Sequence, residues 1–179
     1  IIKAGLATVL RDNEEINLPT KSTLNNKGSD FIGSMIFEPN KNFKLNYNFS
    51  QKNAANLLAK GEILAVARGR EEFGARALGN RSILADPSNI KIVQKINELI
   101  KNRDFWMPFA LSILKEKHKK FLINKKNINS EYMTVGYDTV EKMHGLIEAG
   151  THRYDKSVRP QILEKNANSN YYNLINEFY

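Results

Sequence analysis

Apolar and polar stretches alternate along the chain in a way that predicts interleaved strands and helices. The apolar run at residues 63–67 is typical of a buried strand, and the apolar stretch after Pro108 predicts a second core strand. Residues 132–137 alternate as a half-buried strand does, and residues 157–163 predict a strand in which Pro160 indicates either a sheet edge or a strand end. Two further segments look extended, residues 31–37 and 43–47.

Five helices are predicted between and after these strands. They cover residues 50–61, 86–101, 115–122, 139–145 and 169–178. Ser50 is a suitable N-cap for the first helix, and Gly61 a suitable stop. Asp86 and Ser169 are predicted to cap the second and the last. Helices that interleave with strands in this way indicate a single domain of the α/β (α+β) class.

Composition narrows the class of protein. The chain has 179 residues, enough to bury a core, and a formal net charge of +8 that indicates anionic partners such as nucleotides, phosphorylated metabolites, nucleic acid or an acidic neighbouring domain. It has no cysteine, which excludes disulfide scaffolds and thiol nucleophiles. It has no apolar run of membrane-spanning length and no leader pattern, so we expect a cytoplasmic protein without a membrane partner.

The segment that most favours an anion site is the Gly/Arg loop, residues 68–82, with four arginines and three glycines in fifteen residues. Glycine lets backbone N–H groups approach a ligand, and the arginine fork matches phosphate oxygens. The glycine spacing fits neither the Walker A loop nor the dinucleotide fingerprint. From composition alone, a solvated arginine-rich loop remains an equal alternative.

Residues 69–87, Gly-Arg-x-Glu-Phe-Gly-x-Arg-Ala-Leu-Gly-Asn-Arg-Ser-Ile-Leu-Ala-Asp-Pro, resemble the hallmark of the C-terminal domain of NodU/CmcH-type O-carbamoyltransferases. Residues 101–110 and 152–161 resemble two further blocks of that family in the same order, and the tyrosine-rich C-terminal pattern fits as well. The chain departs from the family where Met107 replaces an arginine and Leu111 a proline. Ala75 for proline and Ser157 for threonine are milder changes.

The resemblance implies a YrdC-like fold, a twisted mixed β-sheet flanked by helices, over residues 31–179. Residues 1–30 are then the tail of a preceding domain and a linker. It also implies that the domain binds ATP, with Mg²⁺, and carbamoyl phosphate, and forms carbamoyl-adenylate. An N-terminal domain of the actin/sugar-kinase class would then move the carbamoyl group to a hydroxyl.

The resemblance also assigns roles to residues. His152 and Asp155 are expected to be catalytic, with Asp155 orienting Arg159 or binding Mg²⁺, although no residue is a certain metal ligand. The residues expected to bind substrate phosphates are Arg70, Arg76, Arg81, Ser82, Lys101, Arg103 and Arg159. Structural alternatives remain open, since Glu72 is spaced to pair with Arg76 within a helix and Ser82 to cap a turn.

Two other functions compete with this one. A basic YrdC-like domain that binds RNA would suit the charge, with Trp106 as a stacking platform, but the aromatic residues are not interleaved with the basic cluster, so nucleic acid is the weaker expectation. The chain would alternatively be a catalytically inert fragment that supports a missing domain.

Overall fold

A computed structural model describes residues 2–5, 50–70, 72, 74, 76–101, 104 and 107–179. The strands are β1 Ile2–Gly5, β2 Leu64–Ala67, β3 Arg81–Ala85, β4 Ala110–Leu114, β5 Leu122–Ile123, β6 Asp138–Thr139 and β7 Gln161–Leu163. The α-helices are α1 Gln51–Ala59, α2 Lys91–Ile96, α3 His118–Phe121, α4 His144–Ile147 and α5 Ser169–Phe178. A π-helical turn, Asn97–Lys101, extends α2, and 3₁₀ turns lie at 115–117, 141–143 and 148–150. The predicted extended pieces at 31–37 and 43–47, and the residues Arg103 and Trp106, lie outside the described residues.

Five strands form a mixed sheet in the order β2-β3-β1-β4-β7, and β5 pairs with β6 in a separate hairpin. Every neighbouring pair is antiparallel except β4 and β7, which run parallel with Ser112 opposite Gln161. Helices cover both faces, so the α/β class with a mixed sheet flanked by helices is confirmed. No helix in the described part of the chain has the length and apolarity needed to cross a membrane.

The core lies on both faces of the sheet because side chains alternate along each strand. Ile83, Leu111 and Ile113 pack on one face with α2 and α4. Leu84 and Leu114 point to the other face, against helices α1 and α5. The second face carries the C-terminal helix, and an open cleft lies beside the start of that helix.

Several predicted elements are confirmed. The strand at 63–67 is β2, the strand after Pro108 is β4, and β7 follows Pro160 at the sheet edge. Helix α1 begins after Ser50, whose side chain accepts a hydrogen bond from the Asn53 N–H, and Gly61 follows its end with a φ of 82°.

Other predicted elements are wrong. The second helix begins at Lys91 rather than at Asp86, because the Asp86 carboxylate accepts hydrogen bonds from the N–H and hydroxyl of Ser88 and forms a turn there. The strand at 132–137 is absent apart from a bridge at Tyr137, since Met133 adopts a left-handed backbone conformation with φ 57°. Ser169 is the first residue of α5, and Asn168 is its cap.

The central strand β1 was not predicted. Residues 2–5 were assigned to the tail of a preceding domain, yet they pair with β3 on one side and β4 on the other. A four-residue segment that ends in glycine carries too little alternation to be recognised as a strand. The proposed boundary near residue 30 lies outside the described residues and stays a prediction.

Candidate functional site

The three strands that follow the motif segments begin at one end of the sheet. Strand β2 ends at Ala67 opposite Arg81, where β3 begins, so the Gly/Arg loop joins them at that end. Strands β3 and β4 are both antiparallel to β1, and β7 is parallel to β4, so all three begin at the same end of the sheet. The described residues that lead directly into these strands, Asn80, Phe109 and Pro160, therefore lie at that end.

Glu72 organises the Gly/Arg loop from inside. Its Oε1 accepts hydrogen bonds from the N–H groups of Leu78 at 2.7 Å and Asn80 at 2.6 Å, and its Oε2 accepts one from Arg81 Nε at 3.1 Å. Burial alone would raise the pKa of this carboxyl group, but the hydrogen bonds, led by that of the Asn80 N–H, outweigh it and lower the pKa. Glu72 is therefore an internal anion that occupies backbone donors a ligand would otherwise use.

Arg81 and Ser82 fasten the same loop. The Arg81 guanidinium bonds Glu72 and also donates to the carbonyl of Gly74 at 3.0 Å. Ser82 is fully buried, and its hydroxyl oxygen accepts the Gly79 N–H at 3.1 Å, which matches the alternative role of a turn cap. Glu72 pairs with Arg81 rather than with Arg76.

An open cleft of about 720 Å³ lies beside the loop, and of the predicted phosphate-binding residues that the structure describes, Arg76 lines it. Arg76 is exposed, and so is Tyr132, which keeps 61% of its surface accessible in the same lining. Asn80, Thr134 and Gln161 add polar groups to the walls. A guanidinium, an aromatic ring and several hydrogen-bonding groups around one cleft suit a ligand with both an anionic and a flat apolar part.

The structure places His152 and Asp155 together but outside the cleft lining. His152 Nδ1 lies 3.0 Å from Asp155 Oδ1, and the same oxygen accepts the Ser157 N–H at 2.8 Å. That backbone hydrogen bond is the main cause of the lowered pKa of Asp155. The turn is closed by the His152 N–H, which donates to the Ser157 carbonyl at 2.8 Å.

Three further predicted residues that the structure describes also lie outside the cleft lining. Arg70 and Arg159 are exposed, on the Gly/Arg loop and just before β7 respectively. Lys101 is half-buried at the end of the π-helical turn. Within the described part of the chain, no three His, Asp or Glu side chains cluster as a metal cage.

Sequence reasoning missed residues that hold or line the site from β7 and α5. Gln161 Nε2 donates to the Leu78 carbonyl at 3.1 Å, and Asn168 Nδ2 donates to Asn80 Oδ1 at 2.9 Å. Tyr132 was assigned to a strand rather than to a cleft. The sequence did contain a signal for Gln161. An amide side chain in an otherwise apolar strand is expected to be buried, and a buried amide requires a hydrogen-bond partner.

The chain belongs to the carbamoyltransferase C-terminus family, whose profile matches residues 55–179. It is 39% identical over 125 residues to an uncharacterised protein of Methanocaldococcus jannaschii, an alignment that covers 70% of this chain and 20% of that protein. It is 37% identical over 126 residues to the nodulation protein NolNO of Sinorhizobium fredii, covering 70% and 18%. It is 34% identical over 121 residues to the 3'-hydroxymethylcephem-O-carbamoyltransferase of Amycolatopsis lactamdurans, covering 68% and 22%. The chain thus spans about a fifth of the length of these curated relatives.

Proposed function

We propose that this domain binds ATP and carbamoyl phosphate in the cleft beside the Gly/Arg loop and forms carbamoyl-adenylate. The carbamoyl group would then pass to a hydroxyl acceptor in an actin/sugar-kinase-like domain of the full-length protein. Membership of the family supports this proposal, as does the O-carbamoyltransferase name of one relative. The observation that carries it is Arg76, exposed in a cleft whose loop is already fixed by Glu72.

The reaction needs two anions to be brought together. For the atoms to balance, water releases carbamate and phosphate from carbamoyl phosphate, and a carbamate oxygen then bonds to the α-phosphorus of ATP while pyrophosphate leaves. Positioning and neutralisation of charge contribute most to such a step. Arg76 would bind phosphate oxygens, and the predicted residues Arg70, Lys101 and Arg159 would add positive charge to the domain. Because Glu72, Arg81 and Ser82 hold the loop, Arg76 needs little reorganisation on binding.

The cleft also suits the nucleoside part of ATP. Tyr132 offers an exposed ring on which adenine can stack, and such stacking contributes roughly 1–3 kcal/mol per base. His152, whose Nδ1 faces Asp155, lies outside the cleft lining, so no proton transfer to a ligand in the cleft is assigned to it. Mg²⁺ would be bound largely through the ATP phosphates and water, as is usual for this ion.

Isothermal titration of ATP, and separately of carbamoyl phosphate, into the wild type and Arg76→Ala tests the proposal. Losing a charge-assisted contact worth roughly 1.5–3 kcal/mol should weaken ATP binding at least about tenfold. Arg153→Ala is the control, since Arg153 is an exposed arginine that does not line the cleft. No binding of ATP at millimolar concentration by the wild type contradicts the proposal. Steeply salt-dependent RNA binding without competition by nucleotide would favour the RNA-binding alternative.

A further inference from the structure

Three polar side chains are buried between the sheet and the C-terminal helix, next to the Gly/Arg loop. Tyr171, Ser112 and Gln161 are 0%, 3% and 4% exposed. The Tyr171 hydroxyl donates to Ser112 Oγ at 2.7 Å, and Ser112 Oγ lies 3.5 Å from Gln161 Oε1. The Gln161 amide donates in turn to the Leu78 carbonyl at 3.1 Å. The three side chains form a polar chain that starts on α5 and ends on the loop.

Packing alone does not account for this chain. Buried polar groups are unfavourable unless each finds a partner, whereas apolar side chains of similar size would fill the same space without that requirement. The neighbours on this face are apolar, among them Leu84, Leu114 and Leu174. The polar chain is therefore best explained by its hydrogen bond to the backbone of the Gly/Arg loop.

Helix α5 touches the next two loop residues as well. A Cβ atom on Gly79, whose φ is +123°, would lie 2.4 Å from Cδ1 of Tyr171, so the loop backbone rests directly on that ring. Asn168 accepts the Tyr171 N–H at 3.0 Å and donates to Asn80 Oδ1 at 2.9 Å. Gly79 and Asn80 are thus held by the first turn of helix α5 and Leu78 by Gln161 of β7, while Glu72 and Ser82 bind the N–H groups of all three from within the loop.

We propose that Tyr171 is a positioning residue that acts through Ser112 and Gln161 to hold residues 78–80, and with them Arg76, in the geometry that binds the phosphate groups of the ligand. This inference rests on the proposed function of the cleft. Arg76 lies two residues before Leu78, so a shift of the loop moves its guanidinium relative to the cleft. Displacements of about 1 Å in a phosphate-binding group are enough to weaken binding and catalysis.

Tyr171→Phe tests the role, because it keeps the ring under Gly79 and removes only the hydroxyl. Tyr172→Phe is a matched control on the same helix, since the Tyr172 hydroxyl donates to Glu116 at the surface. We expect Tyr171→Phe to raise the Kd for ATP about fivefold, as the loss of one buried hydrogen bond implies, and Tyr172→Phe to leave it within about twofold. In the absence of ligand, amide hydrogen exchange at Gly79 and Asn80 should become faster in Tyr171→Phe only.

Combination with Arg76→Ala separates positioning from general stability. If Tyr171 acts through Arg76, Tyr171→Phe should change the Kd for ATP little in the Arg76→Ala background, while its effect on Tm stays the same in both backgrounds. A wild type that does not bind ATP overturns the proposed function of the cleft. A wild type that binds ATP, with Tyr171→Phe matching Tyr172→Phe in affinity and in exchange at Gly79 and Asn80, overturns the positioning role alone.

Discussion

Glu72 determines what the Gly/Arg loop can offer to a ligand. The glycine-rich sequence favours backbone N–H contacts with phosphate, but the N–H groups of Leu78 and Asn80 bind the Glu72 carboxylate and that of Gly79 binds Ser82. These three N–H groups are therefore not available to a ligand anion, and among the predicted phosphate-binding residues that the structure describes it is Arg76 that lines the cleft. Gly79, with a φ of 123°, contributes to the shape of the loop rather than to direct contact.

Replacing the carboxylate tests this interpretation. Glu72→Gln keeps the size of the side chain but removes the charge and puts an NH₂ group where an acceptor oxygen faced a donor. We expect the free energy of unfolding at pH 7 to fall by roughly 1–3 kcal/mol in urea denaturation. Glu164→Gln is the control, because its partner Lys115 is half-exposed, and it should change stability by about 1 kcal/mol or less.

The pH dependence gives the same substitution a second readout. The folded protein holds the pKa of Glu72 below its ordinary value of 4.5, so the charged group stabilises the fold fully above that value and loses this contribution as pH falls through the folded pKa. The difference in stability between wild type and Glu72→Gln should therefore shrink between pH 7 and pH 3. A difference that stays constant over this range would contradict the role of the charge.

At the scale of secondary structure, the sequence patterns predicted the presence of a helix or strand more accurately than the residues at which it begins and ends. Ser50 and Gly61 marked α1 correctly because one side chain and one left-handed glycine fix a helix end locally. Asp86 does not cap the helix as predicted, because aspartate also forms turns. A long-range hydrogen bond stabilises the turn here, in which the Ala149 N–H donates to the Pro87 carbonyl at 2.9 Å. Such long-range contacts are not visible in a linear pattern.

Asn168 joins a helix end to the loop, and it allows a matched comparison with Ser50. Each caps a helix by accepting one N–H bond, but Asn168 also donates to Asn80. We expect Ser50→Ala to lose about 1 kcal/mol of stability and Asn168→Ala to lose more, by roughly the value of one further hydrogen bond. Only Asn168→Ala should also weaken ATP binding in titration. Equal effects of the two variants on both stability and affinity would show that the bond to Asn80 does not matter.

At the scale of the whole molecule, the sequence indicated the α/β class and the three motif blocks but not where the strands that follow the blocks begin. Strand direction decides this, because β3, β4 and β7 all begin at one end of the sheet. Ser82 and Arg81 could be recognised as motif residues. Their structural roles could not, because they depend on hydrogen bonds with Gly79 and Glu72 that form only in the folded loop. The hydrogen bonds of Gln161 and Tyr171 likewise form only when helix α5 packs against the sheet.

The central strand β1 provides the sharpest test of the whole architecture, because it links the β2-β3 pair to the β4-β7 pair. Lys3 lies opposite Leu84 on one side and Ala110 on the other. Proline at this position removes a backbone donor from an interior strand, where proline is essentially absent from natural sheets. We expect Lys3→Pro to lower the free energy of unfolding by at least about 2 kcal/mol, measured by urea denaturation.

Lys3→Thr is the control for this change, because threonine keeps the N–H group and suits a strand, and it should alter stability by less than about 1 kcal/mol. The two variants differ mainly in the backbone donor, so a large gap between them assigns the effect to strand pairing. If Lys3→Pro unfolds at the same urea concentration as Lys3→Thr, residues 2–5 do not hold the sheet together. The assignment of residues 1–30 to a tail and linker would then be preferred, and the two halves of the sheet would need another connection.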